Sequence, residues 1–209
     1  MLFMRKKNAA TEVLGRIFSS PAGSRGKLYS GAGFVTLNPP HEGILEWINS
    51  LSEYKDKTIL AINISSNIVK TFSLVYDFSD LIIVDPDSDR GIDSPDISDT
   101  SVLIDELVSL RLCYEHYTPI ALRLSHGHTP QEIKTIVGHS RLSGIDAIVA
   151  PGPVKVRTVV SETDGRLPVI GAAENPEEAL ATLEAGAVLT EVHTGPFSFH
   201  KLLKELSKK

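Results

Sequence analysis

The 209-residue chain has a single cysteine, Cys113, which excludes an intrachain disulfide and a cysteine-based metal cluster. No run approaches the ~20 apolar residues that a membrane helix needs, and the opening residues MLFMRKK lack the apolar stretch of a signal peptide. Basic residues are outnumbered by acidic ones, 21 to 26, whereas nucleic-acid-binding proteins are usually basic. We therefore expect a cytoplasmic protein that neither spans a membrane nor binds nucleic acid.

Short apolar runs rich in β-branched residues recur along the chain. Most are continuously hydrophobic, which is typical of strands covered on both faces of a parallel sheet. Helical patterns separate most of them, and one begins with a capping box from Thr129 to Glu132, with proline at the first helical position. The eight predicted strands cover residues 13–18, 33–37, 58–63, 80–85, 118–124, 145–150, 167–171 and 187–193.

The alternation of strands and helices predicts parallel βαβ units with right-handed crossovers. Eight such strands indicate a compact (β/α)8 TIM barrel that occupies residues 1–209 as a single domain, in less than the ~250 residues typical of the fold. Two connections, 19–32 and 151–166, have little helical amphipathicity. We therefore expect one or two outer helices to be reduced or missing.

Polar residues end several of the predicted strands, where TIM barrels carry their chemistry. Asn63 and Asp85 end the third and fourth strands. Arg123 lies near the end of the fifth and shares a face with Ala121, so an inward Ala121 would place Arg123 in the barrel opening. A cation there suits an anionic ligand or a reduced cofactor. Alternatively, Arg123 and Asp85 pair with each other as a structural plug, because buried charges are normally paired.

Small residues follow the last two predicted strands. They let the backbone approach a phosphate, helix N-termini offer free N–H groups, and the last two loops of this fold are a recurring phosphate site. The alternative is that Gly171 and Gly195 are ordinary turn glycines. The candidate phosphate-binding residues are Gly171, Ala172, Ala173, Thr194 and Gly195.

Two further patterns suggest metal ligands. His126 and His128 would share one face of an extended segment, but no third ligand can be named, so exposed loop histidines are the default interpretation. Residues 85–91 resemble the start of a calcium loop, but the twelfth position holds Asp96 instead of glutamate, and solvated loop charge explains the pattern better. We predict no metal site.

The C-terminal half resembles the class 2 dihydroorotate dehydrogenases and related FMN-binding barrels. The resemblance covers residues 60–206, whereas the first 55 residues match poorly. Three features carry it. A strand that begins with proline leads into a turn of small residues, the last strand begins with alanine–glycine–alanine, and a threonine–glycine turn precedes the final helix. The matching segments are LAINI at 60–64, PIALRL at 119–124, RLPVIG at 166–171, EAGA at 184–187 and TGP at 194–196.

The resemblance implies an FMN-dependent oxidoreductase of the pyrimidine-biosynthesis type. FMN would contact Asn63 and Arg123 through its ring, with its phosphate on the small residues of the last two loops, beside His193. Ser88 would be the catalytic base, with Asp85 next to it. The sequence departs from the family where Arg123 replaces a lysine, Asp85 replaces an asparagine, and alanines 172–173 replace a Gly-Gly turn.

Two other functions remain open at this point. One is a non-catalytic relative that binds a phosphate-bearing ligand or a protein partner. The other is a phosphate-sugar isomerase or epimerase that uses Asp85, Glu191 or His193 as acid–base groups, since Glu191 and His193 share a face of the last strand. In each case we expect a small-molecule or protein ligand, and a homodimer is compatible with the sequence.

Overall fold

The computed structural model describes residues 2–5, 34–40, 42–52, 59–87 and 97–192. Within these ranges eight strands join in one sheet, in the order β1-β8-β7-β6-β5-β4-β3-β2. Strands β2 to β8 run parallel to their neighbours, and β1 pairs antiparallel with β8. The strands are β1 (Leu2–Arg5), β2 (Phe34–Leu37), β3 (Ile59–Ile64), β4 (Leu81–Val84), β5 (Ile120–Arg123), β6 (Ala147–Pro151), β7 (Val169–Ala173) and β8 (Leu189–Val192).

Helices alternate with the parallel strands. In the described ranges none of them is long and apolar enough to cross a membrane. The strand predicted at 13–18, the connection at 19–32 and the final helix after 196 lie outside the described residues. The helices are α1 (Ile44–Leu51), α2 (Ile68–Val75), α3 (Ile97–Arg111), α4 (Pro130–Ser143), α5 (Gly152–Thr163) and α6 (Pro176–Glu184).

The sheet curls round on itself. Its two ends, β1 and β2, approach within 8 Å between Cα atoms. Seven parallel strands, curled and alternating with helices, make a TIM-barrel-like α/β fold, which confirms the predicted fold class. The antiparallel β1 was not predicted, because a four-residue segment beside the charged run 5–7 has no periodicity to mark it.

The two faces of the sheet pack differently. The outer face packs against the helices in one large hydrophobic cluster that includes Ile62, Val84 and Leu122. The inner face carries a smaller buried cluster that includes several alanines. The inner cluster consists of Ala61, Leu81, Ile83, Ala121, Ala147, Val149, Ile170 and Leu189.

Helix α5 corrects one prediction, since residues 151–166 were expected to be poor in helix. Helix α5 spans Gly152–Thr163 and buries Val156, Val159 and Thr163 against the sheet. These positions are spaced three and four residues apart, as a helix requires. The many β-branched residues of this segment have modest helix propensity, which hid the pattern. Burial of one helical face outweighs that local preference.

Asp146, just before β6, links the amino end of β5 to α3. Its carboxylate accepts hydrogen bonds from Arg111 Nη1 at 2.7 Å, from the backbone N–H of Ile120 at 2.8 Å, and from the Tyr117 hydroxyl. Burial, together with the hydrogen bond to Asp146, raises the pKa of Tyr117 to about 12. In TIM barrels this end serves stability, whereas the opposite end carries the chemistry.

Candidate functional site

Five polar side chains meet at the carboxyl ends of the strands, and we call this group the barrel mouth. Four of them lie two residues beyond an inner-face residue, namely Ala61, Ile83, Ala121 or Leu189. Because side chains alternate along a strand, all four point to the inside of the sheet. The barrel mouth consists of Asn38, Asn63, Asp85, Arg123 and Glu191.

An ion pair crosses the barrel mouth from β5 to β8. Arg123 Nη2 donates to both carboxylate oxygens of Glu191, at 2.8 Å and 3.1 Å. The Glu191 side chain is 0% exposed and that of Arg123 is 14% exposed. A buried carboxylate needs such a partner, because an unpaired charge is costly to remove from water. The inward position of Arg123, expected from its alternation with Ala121, is confirmed.

Asp85 and Asn63 border the same guanidinium. Arg123 Nε lies 3.4 Å from Asn63 Oδ1 and 3.7 Å from Asp85 Oδ2. Asn63 in turn donates to Asn38 Oδ1 at 2.9 Å. The Asp85 side chain is 18% exposed, whereas that of Glu191 is fully buried. Asp85 is therefore the more outward of the two carboxylates beside Arg123. Among the described residues, the contacts of Arg123 involve Nε and Nη2, which leaves Nη1 as the nitrogen that can donate to a ligand.

The plug interpretation is correct in part. Arg123 pairs with a carboxylate, but its close partner is Glu191, whereas Asp85 lies at the edge of the cluster. Sequence analysis placed Glu191 and His193 on one face of the last strand, without saying which face and without assigning Glu191 to Arg123. It missed Asn38 altogether, although Asn38 follows the inward-facing Thr36 by two residues.

His128 ties together the loops that follow β4 and β5. Its Nδ1 accepts the backbone N–H of Ser125 at 3.1 Å, which leaves the proton of the neutral ring on Nε2, 3.5 Å from Asp87 Oδ2. Burial lowers the pKa of His128, against the attraction of Asp87. The expectation of exposed loop histidines holds for His126 and is wrong for His128, which is buried.

Lys155 lies in the first turn of α5. Its ammonium group donates a hydrogen bond to the backbone carbonyl of His128. Burial lowers the pKa of this lysine. None of the eight described strands carries a lysine in its sequence. In the described part of the chain, no three His, Cys, Asp or Glu side chains gather in a group that could hold a metal ion.

The candidate phosphate residues are placed differently from the prediction. Gly171, Ala172 and Ala173 lie within β7, not in the turn that follows it. A Cβ on Gly171 would come within 2.6 Å of Thr182 on α6, so close packing of that helix explains the glycine. The remaining predicted site residues, Ser88, His193, Thr194 and Gly195, lie outside the described residues.

The described residues do not fit the phosphate of FMN at the start of α6. The N–H of Glu178 is bound to Asn175 Oδ1 at 2.8 Å, and the N–H of Glu174 is bound to Glu178 Oε2 at 2.8 Å. A carboxylate therefore already stands at this helix end.

Comparison with known proteins supports the fold. No family model matches the sequence, and no curated protein matches it. The ligand-free DHODH of Eimeria tenella is similar in structure, with a TM-score of 0.64 and 14% identity over 78% of this chain. This chain spans only 64% of that enzyme, less than two thirds of its length.

Aldolases are similar to about the same degree. The aldolase QR15 has a TM-score of 0.61 and 17% identity, and the match covers 83% of both chains. The deoxyribose phosphate aldolase of Aeropyrum pernix has a TM-score of 0.57 and 15% identity, covering 82% of this chain and 88% of its own. At these identities the comparisons show the TIM-barrel-like fold alone, which hosts many unrelated functions.

Proposed function

We propose that the protein is an acid–base enzyme that moves a proton beside the carbonyl group of a small molecule, as isomerases, epimerases and aldolases do. One observation carries the proposal. The barrel mouth holds a partly exposed carboxylate, Asp85, 3.7 Å from a guanidinium whose Nη1 can still donate a hydrogen bond. Such a pair supplies the base and the oxyanion partner that proton abstraction next to a carbonyl requires.

The reaction would proceed as follows. The substrate carbonyl oxygen accepts a hydrogen bond from Arg123 Nη1. Asp85 removes a proton from the adjacent carbon, and the electron pair of the broken C–H bond moves into an enolate whose oxygen faces the guanidinium. Once the proton on Asp85 has exchanged with solvent, its return to the same carbon gives hydrogen exchange. In an α-hydroxy carbonyl compound, its return to the former carbonyl carbon, with transfer of the hydroxyl proton to the enolate oxygen, gives isomerisation. Both carboxylate oxygens of Glu191 accept from Nη2, and this contact orients the guanidinium of Arg123 before the substrate arrives.

A Schiff-base route is less well supported. It needs a lysine amine directed at the substrate, and no described strand supplies one. Lys155, near the ends of the strands, is bonded to the carbonyl of His128. Direct enolisation of the substrate needs only a base and a hydrogen-bond donor for the enolate oxygen, and the mouth contains both in Asp85 and Arg123.

FMN-dependent oxidation is the rival function. It is favoured by the position of Arg123, which would place a cation beside a flavin ring, and by the structural likeness to DHODH. It is opposed by the carboxylate of Glu178 at the start of α6. When bound, FMN would supply hydride acceptance. In that case the role of Arg123 would be to face the ring, and the role of Asp85 would be to border the substrate.

The test is solvent-proton exchange. The purified protein is incubated in D2O with a panel of small aldehydes, ketones and 2-oxo acids, and loss of the α-proton signal is followed by NMR. We expect exchange with at least one compound, and a loss of ~10²–10⁴-fold in the Asp85→Asn variant, the range typical of a removed general base. Exchange that is equal in wild type and variant would contradict the assignment of Asp85.

Asp77→Asn is the matched control. Asp77 is an exposed aspartate in the turn before β4, at the opposite end of the strand that Asp85 follows. Both variants lose one carboxylate and change the net charge equally. Only the Asp85 variant should lose exchange.

A further inference from the structure

The loops that follow β4 and β5 contact each other at two points. At the strand ends, Asp85 Oδ2 lies 3.7 Å from Arg123 Nε. Further along both loops, Asp87 Oδ2 lies 3.5 Å from His128 Nε2. The first contact joins the base and the guanidinium of the proposed reaction. The second contact joins the same two loops through residues that have no role in that reaction so far.

His128 is held firmly in the loop that follows β5. Its side chain is 2% exposed, and its Nδ1 accepts the backbone N–H of Ser125 at 3.1 Å. The Ser125 hydroxyl in turn accepts the N–H of Gly127 at 3.1 Å, and Lys155 on α5 donates to the backbone carbonyl of His128. The turn that contains the ring and the neighbouring helix therefore hold the ring in one orientation.

This orientation places the Nε2–H of His128 beside Asp87. Burial lowers the pKa of His128 and Lys155 adds to the effect, against Asp87 and Glu132, so the ring is neutral at pH 7 and carries its proton on Nε2. Within the described ranges this buried N–H has no hydrogen-bond partner, although the Asp87 carboxylate lies 3.5 Å away. Buried donors normally find an acceptor, and hydrogen bonds in active sites are often long until the substrate binds. A small closure of the two loops would turn this contact into a hydrogen bond.

Asp87 is connected to the base by a single residue. Pro86 lies between Asp85 and Asp87, its side chain is buried, and its ring fixes one of its two backbone torsions. On the strand side, the backbone N–H of Asp85 donates to the Ile64 carbonyl at 2.9 Å. On the loop side, the contact of Asp87 with His128 restrains the same short segment. Together these two anchors limit how far the Asp85 carboxylate can move from the guanidinium.

We propose that His128 is a positioning residue: through Asp87, it holds the carboxylate of Asp85 beside the guanidinium of Arg123. This inference rests on the proposed function, because it names a residue that orients the base of that reaction. His128 acts on Asp87 and does not contact the substrate. Loss of the imidazole N–H should therefore slow proton transfer, whereas binding of the substrate carbonyl, which depends on Arg123, should change little.

Two substitutions of His128 separate this role from a structural one. His128→Asn keeps an acceptor for the N–H of Ser125 but is too short to place a donor at the position of Nε2, whereas His128→Gln places an amide N–H there. Asp87→Ala removes the acceptor, and it tests the same contact if thermal melts show that His128→Asn does not fold. His116→Asn is the matched control, because it breaks an exposed His–Asp contact of 3.2 Å at the opposite end of the strands.

The kcat and KM of α-proton exchange in D2O are measured with a compound that wild type accepts. We expect kcat to fall ~10–100-fold in His128→Asn and in Asp87→Ala, because a misplacement of about 1 Å can cost that much. KM should stay nearly constant, since only the transition state loses stabilisation. The double variant should be no slower than the slower single variant, because both substitutions remove one contact.

His128→Gln should recover most of the lost rate, and His116→Asn should match wild type. An unchanged kcat in the folded His128→Asn variant would overturn the inference. Additive losses in the double variant would also overturn it, because they would show that His128 and Asp87 act separately.

The NMR signal of the Arg123 Nε–H makes the test independent of turnover. The signal is assigned by its absence in Arg123→Lys. Because Asp85 Oδ2 lies 3.7 Å from this nitrogen, we expect the signal to move in His128→Asn, in the same direction as in Asp85→Asn, and to stay in place in His116→Asn. If no compound exchanges but the signal moves, the proposed function alone is refuted. A signal that does not move in His128→Asn refutes the positioning role.

Discussion

Arg123 on β5 holds both carboxylate oxygens of Glu191 on β8, so one guanidinium spans the mouth of the curled sheet. Glu191 is fully buried, and a well-oriented cation offsets the cost of burying its carboxylate. The pair joins two strands that are not neighbours in the sheet. It therefore has a structural consequence that is independent of catalysis.

Breaking this pair on one side should destabilise the protein strongly. Glu191→Met leaves a guanidinium without its close partner, and we expect a loss of about 3–5 kcal/mol in the free energy of unfolding by urea. The double variant Arg123→Met with Glu191→Met removes both charges, and we expect it to be more stable than the single variant. A single variant as stable as wild type would show that the pair contributes nothing to the fold.

An exposed pair provides the control. Lys134 Nζ and Glu162 Oε2 lie 3.9 Å apart on the surface, and the lysine side chain is 62% exposed. Because solvent screens such a pair, Glu162→Gln should change the unfolding free energy by less than about 1 kcal/mol.

Gly171→Ala should destabilise the protein through packing. The new Cβ would lie 2.6 Å from Cβ of Thr182 and 3.0 Å from Oγ1 of Thr190, so α6 or β8 must shift. We expect a loss of about 1–3 kcal/mol, measured by urea unfolding.

Gly138→Ala is the matched substitution. A Cβ at Gly138, inside α4, meets no atom within 4 Å, and alanine is the better helix former by about 0.5–1 kcal/mol. We expect Gly171→Ala to lower the free energy of unfolding and Gly138→Ala to raise it. Equal effects would mean that the approach of Thr182 does not account for Gly171.

The stability of the protein should fall between neutral and mildly acidic pH because of His128. Burial lowers its pKa in the folded state, so below its ordinary pKa of ~6.5 the unfolded chain binds a proton that the folded chain does not. Stability is therefore lost as the pH drops from that value towards the folded pKa. This loss of stability is measured as the slope of the unfolding free energy against pH. The free energies come from urea titrations at several pH values.

His128→Asn should flatten that slope, because the amide oxygen can still accept the N–H of Ser125 but does not titrate in this range. His126→Asn, at an exposed position two residues away, should leave the slope unchanged. A slope that persists in the His128 variant would show that another group causes the pH dependence and would contradict the prediction.

The sequence predicted the sheet better than the site. The seven parallel strands overlap predicted strands, although β7 ends two residues later than expected, and the capping box of α4 is where it was predicted. Continuous apolar runs and the Thr129–Glu132 pattern are local signals. Helix α5 was missed because its stability comes from burial of Val156 and Val159 against the sheet, which is a tertiary effect.

Sequence analysis predicted only those features of the site that follow from the alternation of side chains along single strands. Alternation with Ala121 placed Arg123 inward, and strand ends marked Asn63 and Asp85. The pairing of Arg123 with Glu191 depends on two strands that are 68 residues apart in sequence meeting across the barrel. Nor does the local sequence around Gly171 show that Thr182 approaches it, so the glycine was interpreted as part of a phosphate turn.

The most direct test of this account is the flavin dependence of proton exchange. Wild type is freed of any flavin by dialysis against a chaotropic salt and refolded, and exchange of the active compound in D2O is then measured with and without added FMN. We predict full exchange without FMN and a loss of ~10²-fold or more in Asp85→Asn under both conditions. Exchange or substrate oxidation that appears only after FMN is added, with a bound flavin absorbing near ~450 nm, would contradict the account.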